Sequence, residues 1–333
     1  MGNLQSTKKL IRFKRKSTKS SDEKYNNNSP ISEMMMPSSP IEHSYRHNDA
    51  TYYYIDGRRY LDNSSYSLPN DDEEIDRLQL QHYLARYVLQ ANFCAPVNNK
   101  LKSGAKVLDV GCGPGTFTLE MAYDYPNSHF IGIDINPMFP KEIKPRNVDF
   151  EEADVLEDLP FPDESFDFIV IRNMVTALTL HDWENKIWKE LIRVLKPGGY
   201  IESTEFEIPA LNRGPVTYRM SEAWITMMKT KNIDLTIATH LEEIYKSTIL
   251  KNIEHKSKMI PVGTWGDRIG KIMADDFIML AKAMCPILRP IWGLTHEQYN
   301  ECTERFVEEL NVYRTYCNIH VVFGQKPDNF FLS

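Results

Sequence analysis

An open parallel α/β sheet, wound by helices on both faces, is the fold that this 333-residue chain predicts. Two observations predict it. Val107-Leu108-Asp109-Val110-Gly111-Cys112-Gly113-Pro114-Gly115-Thr116 reads as a buried strand, a glycine turn and a helix start. Strand-like and helix-like stretches then alternate as far as Phe206, and that order places helices on both faces of a parallel sheet.

The first strand ends at Asp109, and the helix after the turn runs from Thr116 to Tyr123. Glycines at alternate positions let the backbone approach a ligand, and the helix start aims free N–H groups into the same space. His129-Phe130-Ile131-Gly132-Ile133-Asp134 is a second apolar strand, ending in an acid 25 residues after Asp109. An acid there is placed to accept from both ribose hydroxyls of a nucleoside. Val148-Asp149-Phe150-Glu151 is a short third strand, followed by Ala153-Asp154-Val155. Asp154 is placed to accept from an adenine amino group, with Val155 beside the ring. Phe166-Asp167-Phe168-Ile169-Val170-Ile171 is a fourth buried strand, with Arg172 and Asn173 at its carboxyl end. Trp183 to Leu195 is amphipathic at helical spacing, and Lys196-Pro197-Gly198-Gly199 stops it before a fifth strand, Tyr200 to Phe206.

The glycine spacing is G-x-G-x-G rather than the G-x-G-x-x-G of nicotinamide and flavin sites, and Thr116 stands where the last glycine would be. An acid at the strand end suits a cation better than a pyrophosphate. S-adenosyl-L-methionine, with an ammonium, a sulfonium and no phosphate, meets that requirement.

These motifs, in this order, resemble the class I S-adenosylmethionine-dependent methyltransferases. They comprise the Asp-x-Gly-x-Gly-x-Gly loop, the second-strand acid, the third-strand Asp, the Phe-Asp-Phe-Ile-Val strand and the Leu-Lys-Pro-Gly-Gly turn. The Tyr-rich lead-in (Tyr52-Tyr53-Tyr54, Gly57-Arg58-Arg59-Tyr60) ahead of Asp76-Arg77-Leu78-Gln79-Leu80-Gln81-His82-Tyr83 is similar to a fungal branch of that family. The resemblance covers Tyr52 to Lys326. It implies a Rossmann-like, doubly wound sheet of seven strands with the last antiparallel. The sixth is expected near Leu250–Ile260 and the seventh at Cys317–Gly324. Between them, Pro261 to Tyr316 reads as a helical cap insertion (about 261–316) beside the cofactor edge, with amphipathic helices at Met273–Ala283 and Tyr299–Tyr313. The domain reading is a tail over 1–50, a lead-in and helix over 51–100, and a methyltransferase domain over 101–333.

The same resemblance implies that Asp109, Gly111, Gly113 and Gly115 surround the methionine moiety. Asp134 takes the ribose, Ile135 lies against adenine, and Asp154 and Val155 frame its other side. Tyr60 is expected to close over the cofactor. Arg172 and Asn173 are expected to face the reacting centre, with His181 and Trp265 as further acceptor-side candidates. No catalytic residue is fixed by the chemistry, because the sulfonium supplies the electrophile and a general base is needed only for some acceptors. No tetrad such as Asn-Pro-Pro-Tyr follows the fourth strand, where Arg172-Asn173-Met174-Val175 stands instead. This favours a small-molecule oxygen or carboxylate acceptor. The alternative is a cofactor-binding regulatory protein with little turnover.

Residues 1–20 hold seven of the 39 Lys and Arg and no acid, so 32 bases face 46 acids in the remainder. That acidic body argues against nucleic acid as a partner. No apolar run approaches the ~20 residues of a membrane helix. The five cysteines, at 94, 112, 285, 302 and 317, form no C-x-x-C pair, so neither a metal site nor a disulfide framework is expected. Residues 1 to about 50 are rich in Ser, Asn, Pro and Lys without apolar periodicity and are expected to be disordered. Met1-Gly2-Asn3-Leu4-Gln5-Ser6 matches the myristoylation pattern at Gly2, and the basic run of residues 1–20 would reinforce peripheral contact with an anionic membrane. The expected location is cytoplasmic, at such a membrane face. A mitochondrial presequence or a nuclear localisation run are the competing readings.

Overall fold

The computed structural model describes residues 44–47, 50–62 and 66–328. Gly2, the basic run and most of the expected tail lie outside the described residues. The Tyr-rich lead-in is a three-stranded antiparallel sheet of β1 (Ser44–His47), β2 (Ala50–Ile55) and β3 (Arg58–Leu61). Arg58 donates to both oxygens of Asp71, at 2.6 and 2.8 Å, and so ties this sheet to the next element. Asp71 also caps α1 (Asp72–Leu89), accepting from the Glu74 N–H at 3.1 Å.

After α2 (Asn98–Ser103) the main sheet begins: β4 (Lys106–Val110), α3 (Thr116–Asp124), β5 (His129–Asp134), β6 (Val148–Glu152) and β7 (Phe166–Arg172). A π-turn at Asp182–Lys186 leads into α4 (Ile187–Val194), so the expected helix at 183–195 starts on wider spacing. Then come β8 (Leu195–Phe206), α5 (Pro215–Thr230), α6 (Leu241–Ser247), β9 (Lys251–Pro261), α7 (Asp267–Ile291), α8 (His296–Val312) and β10 (Tyr316–Gln325). The strand order is β6-β5-β4-β7-β8-β10-β9, with β10 antiparallel to both neighbours and the pairs from β6 through β8 parallel. This is the expected seven-stranded sheet.

Side-chain alternation buries both faces. Val107, Phe168 and Val170 pack with Leu101, Phe117 and Met121 of α2 and α3. Leu108, Ile169 and Ile171 pack with Trp183, Trp188 and Leu191 on the opposite face. A third cluster joins α5, α7 and α8 to Phe206, Ile260, Cys317 and Ile319 of the sheet.

The two cap helices are longer than expected. α7 continues past Ala283 through Pro286 and Pro290. Each proline removes a backbone donor, and the breaker rule would have stopped the helix there. Burial of Met284, Cys285 and Leu288 holds this last part against the cluster. α8 begins at a capping box, in which Thr295 and Gln298 each accept the other's backbone N–H, at 3.2 and 2.9 Å.

Candidate cofactor crevice

Strands β4, β5 and β7 end together, and the loops leaving them surround a crevice of about 1030 Å³, counting its solvent-open mouth. Gly111, with φ +66°, turns the chain sharply, and a Cβ there would collide with Met174 Sδ. Gly113 also has positive φ, but a Cβ there would meet only Leu78 Cδ1, at 3.7 Å, and would otherwise project into open space. Gly113 thus keeps that wall open to backbone contact with a ligand.

Asp134, at the end of β5, is locked by its surroundings. Its two oxygens accept the Gly113 and Asn136 N–H groups, each at 2.8 Å. Burial raises its pKa to about 6, against the pull of those two donors. Each oxygen keeps a further lone pair for a ligand hydroxyl. Ile135, 39% exposed, and Val155 lie on either side of the adjoining space, which Ile133, Leu156, Ala177 and Leu178 make apolar. Asp154 joins this end of the wall, with one oxygen held by the Leu156 N–H at 2.9 Å.

At the other end, Arg172 lies over the Phe117 ring, 4.3 Å from its centroid. Its Nη1 donates to His82 Nδ1 at 3.0 Å, and His82 Nε2 lies 2.6 Å from Glu120 Oε2. Burial, with Arg172 and Arg86 nearby, lowers the His82 pKa to about 3. The imidazole is therefore neutral, with Nε2–H directed at Glu120 and Nδ1 left to accept from Arg172.

Of the residues expected at the site, Gly111, Gly113, Asp134, Ile135, Asp154, Val155, Arg172 and Asn173 line the crevice. Asp109 lies outside the lining, 2% exposed, accepting from Thr118 Oγ1 at 2.6 Å. Burial raises its pKa while Arg172 and the Thr118 hydroxyl oppose the shift, and it presents no surface to the crevice. Gly115 also lies outside the lining, because the Phe150 ring occupies the space beside it. Tyr60 is not brought to the crevice. It is 3% exposed and stacks on Tyr53 within the lead-in sheet, with ring centroids 5.4 Å apart. His181 is exposed and bonds to Asn185 at 3.3 Å, away from the crevice. Trp265 donates to Val262 O at 3.1 Å, on the cap side of the molecule.

Sequence reasoning missed Tyr66, Leu78, His82 and Asn136, all of which line the crevice. The i, i+4 spacing of Leu78 and His82 on α1 was the available signal, since it puts both on one helix face.

Three lining residues carry buried polar atoms without partners: Thr116 Oγ1, Asn136 Nδ2 and Arg172 Nε. Buried polar atoms are ordinarily paired, so these mark where a ligand's own polar groups belong. S-adenosyl-L-methionine fits this set. Arg172 offers a cationic donor for a carboxylate, Asp134 accepts from ribose hydroxyls, and the apolar end with Asp154 suits an adenine. Among the described residues no group of three or more His, Cys, Asp or Glu is placed to hold a metal, and no helix is long and apolar enough to cross a membrane.

Comparison with known proteins agrees with this geometry. A methyltransferase domain family matches residues 107–199. Methyltransferase pytC of Aspergillus terreus is 29% identical over 294 residues, which is 83% of this chain and 88% of that protein. Methyltransferase str3 of Strobilurus tenacellus is 31% identical over 41% of this chain and 47% of its own length. Secondary metabolism regulator laeA of Aspergillus fumigatus is 25% identical over 83% of this chain and 77% of its own length.

Proposed function

We propose that this chain, which belongs to the class I S-adenosylmethionine-dependent methyltransferases of fungal type, methylates an oxygen of a small-molecule acceptor. The cofactor, when bound, supplies an electrophilic methyl on a positively charged sulfur. The protein's task is alignment and exclusion of water. Asp134, fixed by the Gly113 N–H, would hold the nucleoside, and Arg172, braced by His82, would hold the carboxylate end. Transfer to oxygen would use the acceptor's electron pair for the new C–O bond and leave the C–S pair on sulfur. A hydroxyl acceptor also releases its proton to solvent, whereas a carboxylate has none to release.

The observation that carries a small acceptor is the position of the cap. Asp276 of α7 accepts from Arg77 Nη1 of α1 at 3.2 Å, and α1 is the helix whose Leu78 and His82 line the crevice. The cap thus packs on the helix that walls the crevice, beside the cofactor edge. The acidic balance of the body supports the same reading against a nucleic-acid acceptor.

A second reading, a cofactor-binding regulator with little turnover, is favoured by the likeness to a secondary metabolism regulator. One experiment separates them. Purified protein is incubated with methyl-labelled S-adenosylmethionine and a cell extract split into small-molecule and macromolecular fractions. Label in a small molecule supports the enzyme. Label in protein or nucleic acid rejects the small acceptor, and tight cofactor binding with label in neither fraction supports the regulator.

A further inference from the structure

The lead-in sheet is linked to the crevice by Asn70, which precedes α1 and is 3% exposed. Arg59 of β3, its guanidinium 5.3 Å from the Tyr52 ring centroid, grips Asn70 by both backbone groups. The Asn70 N–H donates to Arg59 O at 2.6 Å, and Arg59 Nε donates to Asn70 O at 2.5 Å. Nη2 of the same guanidinium donates to Asn70 Oδ1 at 3.4 Å. A guanidinium cannot accept, so this contact fixes which end of the Asn70 amide faces Arg59. Asn70 Nδ2 therefore turns the other way and donates to Asn136 Oδ1.

Asn136 is 2% exposed and lines the crevice two residues beyond Asp134, whose carboxylate accepts the Asn136 backbone N–H at 2.8 Å. With Oδ1 spent on Asn70, its Nδ2 is left as a buried donor without a partner. A buried amide N–H calls for an acceptor, because leaving it unpaired costs the desolvation of the group. Its neighbours in the chain, Asp134 and Ile135, are the residues set for the ribose and the adenine. A nucleoside carries acceptors on both parts, the ring nitrogens and the ribose oxygens. From this chain of contacts we infer that Asn136 is a further cofactor-binding residue whose side-chain amide donates to the nucleoside, and that Arg59 and Asn70 are positioning residues that aim it. This role rests on the methyltransferase reading above and makes the lead-in sheet part of the cofactor site.

Calorimetric titration of the full chain with S-adenosylhomocysteine tests it, beside analogues with C–H in place of N1, N3 or N7 of adenine or hydrogen in place of the 2′- or 3′-hydroxyl. Asn136→Ala removes the donor and should weaken S-adenosylhomocysteine about fivefold, the worth of one neutral hydrogen bond. Asn70→Asp keeps a partner for Arg59 but offers Asn136 only an acceptor. The Asn136 amide then turns round, its oxygen faces the nucleoside, and binding should weaken at least as much. The penalty of one analogue, relative to S-adenosylhomocysteine, should shrink about fivefold or more in both variants, and which one it is tells a ring nitrogen from a ribose oxygen. A loss of structure alone would weaken every analogue alike and leave those penalties as in the parent. Penalties equal in all three proteins, or an unchanged affinity for S-adenosylhomocysteine in both variants, overturn the inference. Should neither variant fold, as read by circular dichroism, the parent alone decides. Labelled with ¹⁵N-asparagine, it should show a side-chain amide resonance moved by S-adenosylhomocysteine and not by one of the analogues; no such resonance overturns the inference. Failure of the parent to bind S-adenosylhomocysteine at all would sink the methyltransferase reading instead, and that binding is read first.

Discussion

Arg172 and His82 meet across the crevice, the guanidinium donating to the imidazole Nδ1 at 3.0 Å from its seat over the Phe117 ring. The pair joins a strand end to α1, 90 residues away in sequence. His82 is fixed in turn by Glu120, so a surface-side carboxylate sets the tautomer that receives Arg172. His82→Leu leaves the guanidinium without that acceptor. Affinity for S-adenosylmethionine should fall about tenfold, the worth of one charged hydrogen bond. Calorimetry reads the loss, circular dichroism checks the fold, and an unchanged affinity would remove His82 from the site.

Asp134 should make cofactor binding depend on pH. Its carboxyl, raised to about 6 by burial, accepts from ribose hydroxyls on both oxygens only when ionised. Affinity should therefore be flat between pH 7 and 8 and should fall below pH 6, by up to about tenfold per pH unit. Asp134→Asn should remove this acidic fall and weaken binding at neutral pH, because its amide turns an N–H toward the Gly113 or Asn136 donor. Titrations at a series of pH values check both; an identical profile for the two proteins would contradict the assignment.

Glu74, Arg77 and Asp276 form a buried triad, and each is less than 5% exposed. Removing the central cation leaves two carboxylates facing each other without compensation. Arg77→Met should cost about 3–5 kcal/mol of stability, the usual consequence of breaking a buried pair on one side. Urea unfolding measures it. A cost below about 1 kcal/mol, typical of exposed pairs, would mean that water reaches the triad.

The triad also marks what the sequence left unreadable. Strands ending at Val110, Asp134 and Arg172 were legible because apolar runs bounded by glycine and proline carry a strong local signal. Asp134, Asp154 and Arg172 followed from their places at strand ends. Glu74, Arg77 and His82 look like an exposed helical face, and their burial depends on partners as distant as Asp276, 199 residues away. Tyr60 lies in the lead-in sheet and not at the crevice for a related reason. An aromatic lead-in reads equally as a lid or as a small sheet, and pairing with Tyr53 decides it. Gly115 fits the loop pattern, yet Phe150 from the third strand fills the space beside it.

Glu205 couples the loop after β7 to stability. It is fully buried at the end of β8 and accepts the Met174 and Val175 N–H groups at 2.7 and 3.3 Å. Burial raises its pKa from 4.5 to about 8, although those donors and Arg172 pull the other way. Between these two values the native chain retains a proton that the unfolded chain has released. Its contribution is therefore fully present below the unfolded value and is lost as pH rises toward 8, with a slope of up to about 1.4 kcal/mol per pH unit. Glu205→Gln cannot titrate, so its stability should decline less between pH 5 and 8 than that of the parent, whatever its absolute cost. Urea unfolding at pH 5, 6.5 and 8 gives both slopes. Parallel slopes would mean that Glu205 is ionised in the folded chain and that the loop carrying Met174 rests on a buried negative charge.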